Sequence, residues 1–247
     1  MAGPLTASDN LTPQWARLGA LFNVIPAPRS PDLERLLLDT VRQVPDNSRL
    51  FSMAATWLSQ YATYVARHRL LHMVRAELEP DWRPHMGLLL ETVADWSGFK
   101  LFASIVAACE PAERPQPLFS VQRQNQALWK LSQRHASELS KKWNLWMPPF
   151  EPKLDALRPP EWVLAMNPTL RDRADFRGDL RASIVEELRR NPSAGQSESA
   201  LARACVATRV AVRHSLAQLQ LTGRIVRQLQ QNRVTVALTH PHATLMS

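Results

Sequence analysis

Hydrophobic positions recur at spacings of three and four through most of the chain and switch to alternation only near its C-terminal end. Leu33, Leu36, Leu37, Thr40, Val41 and Val44 make one continuous helical face over 32–44, and Pro45-Asp46-Asn47-Ser48 is a stop-and-restart signal. Phe51, Met53, Ala54, Trp57, Leu58, Tyr61, Tyr64, Val65 and Leu71 predict a long helix, or two abutting ones, from Leu50 to about Glu79. Residues 15–24 read as a short first helix. Residues 82–96 and 99–109 read as two more, separated by Ser97-Gly98, and 119–146 as a long, more polar helix with Val121, Leu128, Leu131 and Leu139 inward. No fixed sequence period links these segments, so residues 1–146 are expected to form an irregular all-α domain.

Pro148, Pro149, Pro152, Pro159, Pro160 and Pro168 then crowd residues 147–170, the clearest change of composition in the chain. Such a segment is a semi-rigid linker or strap, and Trp162, Val163 and Leu164 give it apolar groups for packing. From 171 a second domain begins. Asp175 or Asp179 can cap a helix ending near Arg190, with Leu180, Ile184, Val185 and Leu188 as its buried stripe.

Two short helices come next, with apolar stripes at Leu201, Ala202, Cys205, Val206 and at Val212, Leu216, Leu219. Thr208 is the expected N-cap of the second, and Gly223 stands where a left-handed terminator is needed. The period then becomes two in Ile225 to Gln230 and Arg233 to Leu238, with Gln231 and Asn232 between, which predicts a β-hairpin. Helix, turn, helix and hairpin in that order describe a winged helix-turn-helix.

These residues resemble the winged helices of GntR-type bacterial transcriptional regulators. Leu201-Ala202, Val212-Arg213, Leu216, Leu219 and Gly223-Arg224-Ile225 match that family's Leu-Ala, Val-Arg, Leu, Leu and Gly-x-Ile positions over about forty residues of the chain. The departure is at the turn, where the family often has Gly, a β-branched residue and Ser, and this chain has Val206, Ala207 and Thr208. The resemblance implies that the residues just after the cap, Arg209, Val210, Arg213 and His214, face the major groove of DNA.

Charge is consistent with that expectation. The formal net charge is +8 and the sequence pI about 10.3. From Gln196 to His240, Arg203, Arg209, Arg213, Arg224, Arg227 and Arg233 face a single acid, Glu198. The abundance of arginine over lysine suits bidentate contacts, although a GC-rich genome gives the same bias. Hydrophobic content of 45% with 21% charged residues implies packed cores. No apolar run approaches the roughly 20 residues that span a bilayer, and Cys109 and Cys205 lie in separate apolar stretches without zinc spacing. A cytoplasmic protein without membrane association is expected.

No Gly-rich phosphate loop, nucleophile elbow or zinc motif is present; His68 and His72 are four apart, but Arg69 replaces the glutamate of a metalloprotease pair. The expectation is therefore no enzyme, no catalytic residues, no cofactor and no metal. Trp143 and Trp146 after Lys141-Lys142 suggest either nucleotide stacking or, preferably, packing of a helix end on the proline-rich strap.

The expected function is sequence-specific double-stranded DNA binding by a transcriptional regulator. The helix starting at Thr208 would enter the major groove, and Arg224, Arg227, Gln231, Asn232 and Arg233 would bring the hairpin to backbone or minor groove. One winged helix reads few base pairs, so a homodimer formed through the N-terminal domain is expected. The alternative is an antitoxin-like or interaction subunit of an abortive-infection operon whose helical domain holds a partner protein. Asn167-Pro168, Leu170, Arg171 and Gly178 through Arg181-Ala182 are similar to linkers of bacterial helix-turn-helix proteins encoded beside nucleotidyltransferases, which keeps that alternative open.

Overall fold

A computed structural model describes residues 11–230 and 233–239. The chain is mainly helical, 63% helix and 7% strand, with a small antiparallel hairpin near its C-terminus. It divides into two compact units, one comprising the chain to Val65 with Leu70–Pro168, the other Ala66–Arg69 with Thr169 onward.

The first unit begins with α1 (Leu11–Arg17), α2 (Leu33–Gln43) and α3 (Ser48–Tyr61). Asp32 and Asn47 cap α2 and α3 by accepting from Arg35 N and Leu50 N, as stop-and-restart chemistry requires. The apolar faces of α2 and α3 close around two tryptophans that are fully buried, Trp15 and Trp57, stacked edge-on at 5.7 Å. Each indole N–H finds an acceptor: Trp15 Nε1 donates to Thr40 Oγ1 at 2.9 Å and Trp57 Nε1 to the Leu18 carbonyl at 2.8 Å. That satisfies the one polar atom of each ring while its whole surface is buried.

The segment expected as a long or divided helix is divided: α3 ends at Tyr61, a 3-10 turn covers Ala62–Tyr64, and α4 spans Arg67–Ala76. α5 (Arg83–Ser97) packs on α3 and ends at Gly98, which takes φ 69° as the left-handed cap. Beyond it, only Ala103–Val106 (α6) is helical, shorter than the 99–109 expected.

Two further expectations are corrected. The first helix occupies 11–17 rather than 15–24, because the backbone after it is taken by a tertiary pairing: Ala20 bridges Leu157, Leu21 N donates to the Ala156 carbonyl and Arg158 N to the Gly19 carbonyl. Gly19 has φ 94°, and a Cβ there would stand 2.7 Å from Val163 Cγ2, so both conformation and space demand glycine. The long helix over 119–146 is instead α7 (Ser120–Arg123), α8 (Gln126–His135) and α9 (Glu138–Lys142), and then strand β2 (Leu145–Trp146), which pairs in parallel with β1 (Gln116–Pro117).

The breaks have local causes. Asn125 accepts from Ala127 N and Leu128 N, and Ser137 accepts from Ser140 N, so each starts a new helix instead of continuing the old one. Helical phase is reset at each cap. Val121 and Leu131, expected inward, are exposed, whereas Ser132 and Ser140 are buried and donate to the Leu128 and Ser137 carbonyls. The two-residue pair β1–β2 also departs from an all-α first domain.

Residues 147–168 are built into this first unit. Phe150 packs between Phe51 and Trp96, Tyr61 OH donates to the Arg158 carbonyl at 2.8 Å, and α10 (Pro160–Met166) buries Val163 completely. Trp143 lies on α5, where a Cβ on Gly87 would fall 2.1 Å from its ring. Its Nε1 donates to Glu91 Oε2 at 2.7 Å, and Trp146 stands edge-on to Trp129.

The second unit contains α11 (Thr169–Asp175), α12 (Leu180–Arg190), α13 (Glu198–Ala204), α14 (Arg209–Leu221) and the hairpin of β3 (Ile225–Gln230) with β4 (Arg233–Leu238). Asp179, one of the two caps considered, accepts from Arg181 N. Ile184, Val185 and Leu188 of α12 meet Leu201, Ala202 and Cys205 of α13, Val212, Leu216 and Leu219 of α14, and Ile225 and Val236 of the hairpin in one buried cluster. The strands run in register from Ile225 opposite Leu238 to Gln230 opposite Arg233. Between α12 and α13, Gly195 lies so near the Val236 carbonyl that a Cβ would come within 2.0 Å of its oxygen. That close approach joins the inter-helix segment to β4, completing a winged helix-turn-helix.

Candidate nucleic-acid interface

The surface expected to meet DNA is organised by the two ends of the turn between α13 and α14. At the far end Thr208 caps α14, its hydroxyl accepting from Ala211 N at 3.2 Å. At the near end α13 closes with two reverse bonds, Val206 N to the Arg203 carbonyl and Ala207 N to the Ala202 carbonyl, which require a left-handed residue at position 206. Val206 adopts φ 52° there. The same pair of bonds ends α14, from Gly223 N to the Gln220 carbonyl and from Arg224 N to the Leu219 carbonyl, with glycine at φ 67°. The expectation that Val206 belongs to the buried stripe is corrected: the left-handed turn carries it out to the surface.

With Val212, Leu216 and Leu219 buried, helical geometry turns Arg209, Val210, Arg213 and His214 outward, and all four are exposed. Thr208 is exposed beside them. Val210 is 65% exposed, a large apolar side chain with nothing to cover it within this face. A shallow groove across the turn is lined by Ser199, Arg203, Val206, Thr208 and Arg209. Arg203, outside the expected set, thus stands with Arg209, and neither makes an ion pair among the described residues.

The other arginines are not equivalent. Arg213 Nε donates to Glu198 Oε2 at 3.2 Å, and Arg227 Nη1 lies 3.9 Å from Glu198 Oε1 while its Nη2 donates to the Arg213 carbonyl at 3.2 Å. The Arg213 side chain remains 61% exposed, whereas Arg227 is 22% and Glu198 13% exposed. Arg227 is therefore a brace between hairpin and α14 more than an open contact.

Arg224 turns toward α11, where it pairs with Asp175 at 3.2 Å and Asp172 at 3.6 Å and lies over the Phe176 ring at 5.8 Å. Arg189 shares Asp172 at 2.6 Å, and buried Arg173 pairs with Glu186. These pairings cross long stretches of sequence, which is why composition alone groups Arg224 with the DNA-facing set. Arg233 is the first residue of β4, and Gln231 and Asn232 lie outside the described residues.

Burial pushes the Cys109 and Cys205 thiols up to about 12, so both stay protonated inside apolar surroundings. Lys141 is paired with Glu138 and Lys142 with Glu91. His68 and His72 sit on α4, and no group of three potential ligands for a metal ion occurs among the described residues. Nor is any helix of those residues long and apolar enough to cross a membrane. No protein-family model, curated protein or solved structure matches the chain.

Proposed function

We propose that residues 169–247 bind double-stranded DNA as the winged helix of a transcriptional regulator, in the manner of the GntR-type proteins they resemble. The observation that carries this reading is the exposed, cap-initiated face of α14: Arg209, Val210, Arg213 and His214 project from a helix whose opposite side is buried. In that orientation the arginines reach base edges or phosphates, and the Val210 methyls suit the C5-methyl group of thymine. Residues 169–247 also hold twelve arginines against six acids, most of the chain's net positive charge.

A single winged helix spans few base pairs, so specificity calls for two, and we propose that residues 1–168 supply the contact between two copies. Arg209→Ala and Arg213→Ala should each weaken binding to a selected DNA site about 10-fold, without lowering thermal stability. Gel-shift titration at fixed salt checks this, and unchanged affinity in both variants rejects the assignment.

The partner-protein reading is favoured by one specific observation. Val210 and, at 82% exposure, Leu221 place apolar surface on α14, while Arg213 is already partly neutralised by Glu198. A protein partner covers such a surface as readily as a groove does. If purified full-length chain binds no DNA at low salt, this reading takes precedence.

A further inference from the structure

We infer that Glu198 is a positioning residue for DNA reading: it holds Arg213 by one edge so that its two terminal nitrogens face outward as a fork for a guanine edge. The inference rests on the DNA-binding reading above and deepens it. Glu198 is the only acid from Gln196 to His240, and it is the first residue of α13, not of the helix that would meet the bases. An acid on a surface meant for a polyanion repels it, so chance placement there is electrostatically unfavourable.

Its geometry explains what it contributes. One carboxylate oxygen accepts from Arg213 Nε, the inner edge of the guanidinium, which leaves both Nη groups free of that bond. Two parallel N–H groups are what guanine O6 and N7 accept in the major groove. The other oxygen faces Arg227 Nη1, and Arg227 in turn donates to the Arg213 carbonyl. Helix α13, helix α14 and strand β3 are thereby tied together through one largely buried carboxylate.

Energy scale separates this role from a stabilising one. An ion pair with a partner as exposed as Arg213 contributes little to folding, because water screens it and ordering a long side chain costs entropy. Fixing that side chain before binding, however, removes the ordering cost at the moment of recognition. The expected signature is therefore in discrimination between DNA sequences more than in folding.

Full-length wild type and Glu198→Gln should be used to select sites from a random duplex pool, and affinities then measured for the selected site and for a variant with its G·C pairs replaced. Wild type should prefer the selected site, and Glu198→Gln should lose about 10-fold of that preference while binding unrelated duplex as well as or better than wild type. The loss should vanish in an Arg213→Ala background, since Glu198 acts through that side chain. Glu198→Asp should restore part of the preference, and melting of each variant shows that it is folded.

Undiminished preference in Glu198→Gln overturns the inference and leaves the DNA-binding reading intact. The same loss with and without Arg213 also overturns it, because the acid would then act elsewhere. Failure of wild type to select any sequence removes the DNA-binding reading and the inference together.

Discussion

The two units bury different kinds of side chain and expose different kinds of charge. All eight tryptophans and both tyrosines lie before Thr169, whereas Phe176 is the only aromatic residue after it. The first unit is built on large rings whose polar tips are individually satisfied: Trp15 on Thr40, Trp57 on the Leu18 carbonyl, Tyr61 on the Arg158 carbonyl and Trp143 on Glu91. The second is built on Leu, Ile, Val and Ala, with its boundaries set by caps and by reverse bonds at helix ends. Large rings give a robust body. Short aliphatic side chains under well-capped helices give a small platform whose outward face is left to arginine.

The largest test of that contrast is a matched pair of truncations. Trp57→Ala should destabilise the first unit by about 5 kcal/mol, since it removes the largest fully buried contacts and leaves the Leu18 carbonyl without its donor. Leu216→Ala should cost the second unit less, about 3 kcal/mol. Denaturant titrations check the order, with tryptophan fluorescence reporting on the first unit and ellipticity on the helices of both. A larger loss from Leu216→Ala would reverse the comparison.

Histidine sharpens the same contrast. His214 is exposed on α14, but His85 of α5 is buried beside Trp82, and burial, with the nearby Arg123 guanidinium adding to it, pushes its imidazole down to about 4. In the unfolded chain it titrates near the ordinary value of about 6.5, so the unfolded state takes up the proton first. The stability that neutral His85 contributes is complete above that value and is lost as pH falls toward about 4. On the order of 2 kcal/mol should disappear between about pH 6.5 and 5. His85→Gln should flatten this part of the profile; an identical slope in both proteins would show that other groups set it.

The smallest expected effect is at the turn. Val206 and Gly223 occupy equivalent left-handed positions at the ends of α13 and α14, and a β-branched residue at φ 52° carries strain that glycine does not. Val206→Gly should raise stability by about 0.5 to 1 kcal/mol, the relief of strain exceeding the added freedom of the unfolded chain. Val206 is 37% exposed, so little packing is lost in the exchange. A lower melting temperature would mean that its side chain matters more to the turn than its backbone does.

The winged helix is the more legible half because its signals are local. Thr208 caps the helix that starts after it, Gly223 ends that same helix, and alternation from Ile225 to Gln230 and Arg233 to Leu238 marks both strands at their observed bounds. The run from 119 to 146 misleads for the same reason in reverse. Its helical spacing is genuine, but Asn125 and Ser137 restart the helix and reset the buried face, and a cap inside a polar run looks like one more polar residue.

In the second unit the caps at Asp179 and Thr208, the hairpin and the outward placement of Arg209, Val210, Arg213 and His214 can be read from the sequence, because each depends on neighbours within a few turns. Which arginines remain open cannot. Arg224 is drawn to Asp172 and Asp175, about fifty residues earlier in the chain, and Arg213 and Arg227 converge on Glu198 from a helix and a strand. The first helix likewise ends where it does because Ala20 pairs with Leu157. Backbone propensity is local and can be read along the chain; partnership between charges and between distant backbones depends on distance in space, which only the folded chain decides.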